Sequence, residues 1–336
     1  MDSITHLAIG ACMGEAFAGR RLGKKAMLWG AIAHSIPDID FMSSFWMTTP
    51  SALLAHRGFT HSFVFCVIAG ALFALLAGMW HKQNNITFWK WTLGFTMVIF
   101  LHVFIDAFNN YGVGWFEPFS HSRITFNAIY VADPLFSIWP GIACIALIFL
   151  RVSTQHRKKW WQIGLGLSGL YLAYCLVNKN QVNTEVKNIL QKQHISYTRY
   201  FTTPAPVQNL LWFVVAGDNN GYYVGFHSLL DSRKTIDFQY FPRNDSLLNP
   251  VRDHRDVQQL IRFSNQFYTI EKWRDSLVFN DLRFGQVMGW ENPKGKFVFH
   301  YFLQYPESNK MVVQRGRLEG WNLRSVQSFW KRIKGN

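Results

Sequence analysis

The chain is expected to be mostly α-helical, with a polytopic transmembrane bundle over residues 1–178 followed by a small extramembrane α+β domain over residues 179–336. Three observations predict this. Apolar residues make up 49% of the 336 positions, too many for a disordered chain. Mean hydropathy is nevertheless only +0.01, because those residues crowd into the stretch before Asn178 and thin out after it. Beyond Asn178 the pattern turns to short alternating runs separated by turn residues, the signature of strands.

Taken in order, Ile4 to Ala18 and Ala26 to Ile36 are short and rich in glycine and alanine, which fits a tightly packed helical hairpin. Phe63 to Trp80, Trp91 to Phe108, Pro134 to Leu150 and Trp161 to Val177 each approach the ~20 apolar residues that a bilayer core demands. Trp80, Trp91, Trp160 and Trp161 stand at span ends, as interfacial anchors do. In the polar half, Leu210 to Ala216 and Tyr222 to His227 flank the turn Gly217-Asp218-Asn219-Asn220-Gly221 and predict a hairpin. Ile236 to Phe241 and Phe297 to Gln304 are further strand candidates. Val257 to Tyr268 and Asn322 to Ile333 have helical spacing, the latter with Val326, Phe329, Trp330 and Ile333 on one face.

The formal charge of +14 is explained by topology. Threading the chain through the spans gathers Arg20, Arg21, Lys24, Lys25, Lys82, Lys90, Arg151, Arg157, Lys158 and Lys159 on one side, which the positive-inside rule makes cytoplasmic. A basic stripe with stacking aromatics is not required, so no nucleic-acid partner is expected. The opposite, non-cytoplasmic side receives the start of the first helix, the connections Ser35 to Ser62 and Asn109 to Asp133, and everything after Asn178. Cys12, Cys66, Cys144 and Cys175 all lie in apolar segments, so neither a disulfide framework nor a thiolate zinc finger is expected. Met1-Asp2-Ser3 lacks the basic start of a secretory signal, which leaves targeting to the spans.

On that topology His6, His34, His56, His61, His102 and His121 fall at one membrane face, and Asp2, Asp38, Asp40, Asp106 and Asp133 fall there with them. The run His34-Ser35-Ile36-Pro37-Asp38-Ile39-Asp40 ends a helix at a proline and offers an imidazole and two carboxylates within one irregular turn. His56-Arg57-Gly58-Phe59-Thr60-His61-Ser62 sets two histidines at the mouth of the next span. His102 and Asp106 are i, i+4 on one helical face. Carboxylates near hydrocarbon cost roughly 2.5–3.5 kcal/mol each, and a divalent cation compensates them. Imidazole with carboxylate suits zinc, manganese or iron better than copper(I), and the ligand count leaves room for more than one ion. The expected ligands are His6, His34, Asp38, His56, His61, His102, Asp106 and Asp133. A metal-activated water would make the chemistry hydrolytic, with Asp40 as general base and Arg57 clamping a phosphate or carboxylate oxygen.

His6, the runs 34–40 and 56–62, the pair His102 and Asp106, and Asp133-Pro134 resemble the YdjM-like membrane-bound metal-dependent hydrolases. These are inner-membrane proteins, some controlled by the LexA repressor. The resemblance covers about Met1 to Val177 and implies a metal-dependent hydrolase in a bacterial-type inner membrane, without supplying its substrate. A looser likeness is to zinc-dependent phospholipase C, where an amino-terminal region and a histidine followed four residues later by aspartate also bind zinc. It favours phosphoester substrates, with membrane lipids as surroundings and a small or lipid-like molecule as substrate.

Plainer roles stand beside these. Asp133 fits a cap on the helix starting at Pro134, Arg57 a neutralising partner for Asp38 or Asp40, and His102 with Asp106 a hydrogen-bonded pair inside the membrane. Asp2 fits a helix cap, His121 a loop position, and Glu15 a snorkelling partner of Arg20. A metal-ion transporter would use the same ligands as a transit site, and a haem carrier would use two of the histidines as axial ligands. The interleaved aspartates fit haem poorly.

Overall fold

The computed structural model describes residues 1–84, 86–304, 309 and 320–335. Two compact units emerge, one made of Met1–Ser43 with Ala55–Cys175 and the other of Ser44–Leu54 with Leu176–Asn336.

The first unit is helical. α1 (Ser3–Leu22) and α2 (Lys24–Ser35) form the expected hairpin. Asp2 caps α1 by accepting from the Thr5 amide, and the chain reverses at Gly23, whose φ is 59°. The helices approach so closely at Gly14 and Gly30 that a Cβ on Gly14 would collide with the Ala26 carbonyl, and one on Gly30 with the Gly10 carbonyl. This is the small-residue packing by which helices associate where apolar burial gives no driving force. After a 3-10 segment (Ile36–Phe45) and α3 (Thr49–Ala55), α4 (Phe63–Trp80) and α5 (Phe88–Asp106) pack together, followed by α6 (Pro134–Phe149). Ser62 caps α4 at the Phe65 amide. Trp91, Phe95, Phe73 and Ile99 fill the core between the helices, while Val67, Ile68, Leu72 and Leu75 of α4 and Leu93 and Met97 of α5 stay exposed. Apolar faces turned outward on a packed bundle are what lipid contact requires.

α4, α5 and α7 (His156–Lys192) are long and apolar enough to cross a membrane, and α6 is a shorter apolar helix. α7 continues 15 residues beyond the expected end of its span at Val177. The reason lies in Val182, Val186, Ile189 and Leu190, spaced i, i+4, i+7, i+8 and fully buried. They form the apolar stripe of a water-soluble helix joined directly to a membrane-type one.

That stripe belongs to the second unit, where it packs on Trp212, Val214 and Ala216. β1 (Arg199–Pro204), β2 (Leu211–Gly217), β3 (Gly221–Ser228) and β4 (Gln239–Pro242) make an antiparallel sheet in sequence order, and β5 (Tyr268–Trp273), β6 (Ser276–Gln286) and β7 (Phe297–Phe302) make a second. Phe201, Phe213, Val215 and Tyr222 of the first meet Leu282 and Phe297 of the second. α8 (Arg255–Phe263) ends earlier than expected because Asn265 and Gln266 take positive φ, and Tyr268 already belongs to β5. α9 (Leu323–Ile333) buries Phe329 and Ile333 against Ala205 and Leu211. Ser44–Leu54, from the α2–α4 connection, also belongs to this unit. Thr48 Oγ1 bonds Asp256 at 2.9 Å and Ser51 Oγ bonds Gln259 at 2.9 Å, both on α8.

Candidate metal centre

Four helix ends of the first unit deliver the expected ligands to one place. His6 lies in the second turn of α1, His34 one residue from the end of α2, and His102 and Asp106 in the last turns of α5, all fully buried. Pro37 stops α2, and the 3-10 segment that follows swings Asp38 and Asp40 inward. A second 3-10 turn, Phe59–His61, sets His61 just before the α4 cap.

His102 Nε2 lies 3.2 Å from His61 Nε2 and 3.5 Å from Asp38 Oδ1. His61 Nε2 is 3.6 Å from both Asp38 Oδ1 and Asp106 Oδ2, and His102 Nε2 is 3.9 Å from the latter. Ligand atoms around a tetrahedral zinc stand about 3.3–3.4 Å apart, given bond lengths of ~2.0–2.1 Å, so this set fits such an ion. His6, His34 and His102 make a second group able to hold a metal ion.

The opposite nitrogens are committed elsewhere, which orients the lone pairs. His34 Nδ1 donates to the Val98 carbonyl at 2.6 Å, leaving Nε2 bare. His61 Nδ1 faces Asp40 Oδ2 at 3.2 Å, leaving its Nε2 toward His102. This outer-shell fixing of the tautomer is typical of metal-ligating histidine. Asp106 Oδ2 and His102 Nδ1 are buried without a hydrogen-bond partner.

The electrostatics favour a cation. Burial disfavours charge on His61, yet Asp106, Asp38 and Asp40 outweigh it and raise the imidazole to about 10. Burial likewise pushes Asp38 up, but hydrogen bonds with His102 and His61 hold its carboxyl far below the usual range. The site demands positive charge, and a metal ion would meet that demand by displacing a proton.

Asp40 is placed differently from the general base expected of it. Its carboxylate accepts from His56 Nδ1 at 2.7 Å, the Arg57 amide at 2.7 Å and Thr60 Oγ1 at 2.8 Å, besides facing His61. Burial opposes its charge, but the hydrogen bonds from His56 and His61 prevail and hold it ionised far below the ordinary carboxylate range. So engaged, the Asp40 carboxylate holds His56, His61, Thr60 and the Arg57 backbone in place. Asp40→Asn is expected to weaken metal binding by roughly 10–100-fold, the cost of losing an outer-shell partner. Competition titration against a chelator measures it, and an unchanged affinity would contradict the role.

Arg57 is 3% exposed and has φ 60°, a strained conformation held by its amide on Asp40 and by the Gly114 amide on its carbonyl at 2.8 Å. Its Nη2 is 3.1 Å from Asp106 Oδ2 and its Nη1 bonds Asn109 at 2.7 Å, while Nε has no hydrogen-bond partner. The guanidinium therefore neutralises Asp106 rather than Asp38 or Asp40, with one donor to spare.

Other expected ligands lie apart. His56 is on Asp40 with its side chain 34% exposed, outside both metal-holding groups. Asp133 caps α6 through the Leu135 and Phe136 amides and accepts from Tyr171 at 2.9 Å, also outside both. His121 pairs with Glu117 on the surface. Glu15 meets Arg157, not Arg20, with two hydrogen bonds of 2.8 and 2.6 Å. Sequence reasoning missed the orienting roles of Thr60 and Asn109, and it missed the Met1 α-amino group, which is buried against Asp106. Asn109 carried a faint signal as a polar residue just past an apolar helix.

Apolar helices around a buried histidine and aspartate cluster define an integral membrane protein. The chain belongs to the YdjM inner membrane protein family, whose family model matches residues 1–182. It is 30% identical over 177 residues to the inner membrane protein YbcI of Escherichia coli (strain K12), covering 50% of this chain and 94% of that protein. It is 27% identical over 173 residues to the uncharacterized protein YfhP of Bacillus subtilis (strain 168), covering 45% and 52% respectively. No solved structure matches the chain significantly.

Proposed function

We propose that this chain is a membrane-bound metal-dependent hydrolase acting on a phosphoester or other ester of a lipid-like substrate, at the non-cytoplasmic face of the inner membrane. One observation carries the reading: the ligand atoms of Asp38, His61, His102 and Asp106 all lie within 4.8 Å of one another, with five of their separations at 3.2–3.9 Å, close to the edges of a zinc tetrahedron, and the Arg57 guanidinium stands against the same Asp106 carboxylate. A divalent ion, zinc before manganese or iron, would lower the pKa of a bound water from ~15.7 toward ~7 and polarise an ester oxygen.

The chain's own groups do the rest. Asp40 fixes His61 and the Arg57 backbone, and Asp106 holds the guanidinium in place. The spare Arg57 donor is suited to an anionic oxygen of the substrate. Asp38 is the half-open ligand, its side chain 26% exposed, and so marks the side from which water and substrate approach. Ile39, Phe41 and Phe59 are exposed on the same segments, which suits an amphiphile. The basic residues of the opposite connections support this side of the membrane.

The test is a screen of phosphatase and phospholipase substrates with detergent-purified, zinc- or manganese-loaded protein beside Asp106→Ala. Hydrolysis in the wild type that falls at least about 100-fold in the variant is expected. Metal flux across vesicles without hydrolysis would replace this reading with that of a transporter.

A further inference from the structure

We infer that the site is built for two metal ions, with His102 as the ligand they share; this rests on the metal-dependent reading above. The tetrahedral set already supplies the four ligands one ion uses. His6 and His34 are left over, fully buried, and with His102 they form a group of their own.

Their ring nitrogens face each other. His6 Nε2 faces Asp106 Oδ1 at 3.2 Å, and because a carboxylate only accepts, Nε2 carries the proton. His6 Nδ1 then has a bare lone pair, and it lies 3.3 Å from His34 Nε2. The latter is bare too, its ring proton being spent on the Val98 carbonyl. Two lone pairs aimed at each other in a buried site repel, and a cation between them turns the repulsion into ligation. Asp106 spans the arrangement, with Oδ1 on the second-set ligand His6 and Oδ2 among the first-set nitrogens. His102 has a nitrogen for each set, since Nε2 faces His61 and Asp38 while Nδ1 is buried without a hydrogen-bond partner; holding both ions at once takes the imidazolate, its one ring proton being released to solvent as the second ion binds.

The experiment is metal counting on the purified 336-residue chain, saturated with zinc and desalted, with manganese-loaded samples read by electron paramagnetic resonance. The wild type is expected to hold two zinc ions per chain and to show an exchange-coupled manganese signal. His34→Ala and His61→Ala, each confirmed folded by its elution profile, should each hold one and show the six-line spectrum of isolated manganese. One ion per wild-type chain at saturation overturns the pair while leaving the hydrolase reading intact. None overturns both. Two ions persisting in His34→Ala overturns the assignment of the second set. The wild-type count decides the matter even where a variant fails to fold.

Discussion

Replacing His102 with alanine is expected to strip the purified chain of metal at concentrations that saturate the wild type, and to abolish hydrolysis with it. No other side chain belongs to both metal-holding groups among the described residues. Its loss opens the tetrahedral set at its centre, where Nε2 stands within 3.2–3.9 Å of His61, Asp38 and Asp106. His6 also loses the ring stacked on it at 3.8 Å. The effect should exceed the roughly 10–100-fold that an outer-shell loss costs, and so exceed that of Asp40→Asn. His102→Gln keeps most of the volume without the imidazole and separates ligation from packing. Metal analysis after dialysis reads the outcome, and a chain that still holds its full complement in both variants would remove His102 from the centre.

The largest effect on stability is expected at the other end of the bundle. Arg157 grips Glu15 through both carboxylate oxygens and donates to the Leu147 and Leu150 carbonyls at 2.6 and 3.0 Å. One guanidinium thus ties α1 to the close of α6 and the start of α7, with both partners under 9% exposed. Removing one member of a buried pair strands the other charge and costs about 3–5 kcal/mol, against about 1 kcal/mol for an ordinary substitution. Glu15→Gln and Arg157→Met should each lower the unfolding temperature in detergent sharply, whereas Glu15→Met combined with Arg157→Met should restore much of it. Equal unfolding temperatures for wild type and Glu15→Gln would show that the pair does not hold the helices together. The lock also closes off the one acid that the interior of α1 offers to a transit path, which weighs against ion transport.

The membrane half was legible because hydrocarbon imposes a strong, local rule. Phe63 to Trp80 is legible at both ends, since an uninterrupted apolar run between a serine cap and a tryptophan leaves little choice. The end of α7 was not, because its apolar stripe from Val182 to Leu190 has the sparse spacing of a soluble helix and is drowned in polar neighbours. β6 was hidden by Asp281 and Arg283, which look like loop residues until the guanidinium is seen 2.6 Å from the carboxylate, both buried. At the site, residue types and their shared face were readable, because imidazoles and carboxylates beside hydrocarbon need a reason. Which of them point inward was not. His56 and His61 are five apart and look equivalent, yet a positive φ at Arg57 sends one to the rim and the other to the centre. Asp133 and Asp38 look alike as letters, and only the α6 amides waiting two and three residues on distinguish a cap from a ligand.

The committed ring N–H groups of His34 and His61 also bear on which ion the cell could install. A nitrogen-rich recess whose donors are already aimed rewards a cation that sheds its hydration readily and accepts four neighbours. Magnesium keeps several waters and asks for octahedral oxygen, so the most abundant divalent ion in the cell finds little purchase there. Selectivity would then come from three hydrogen atoms held elsewhere, on Val98, Asp40 and Asp106, before any ion arrives.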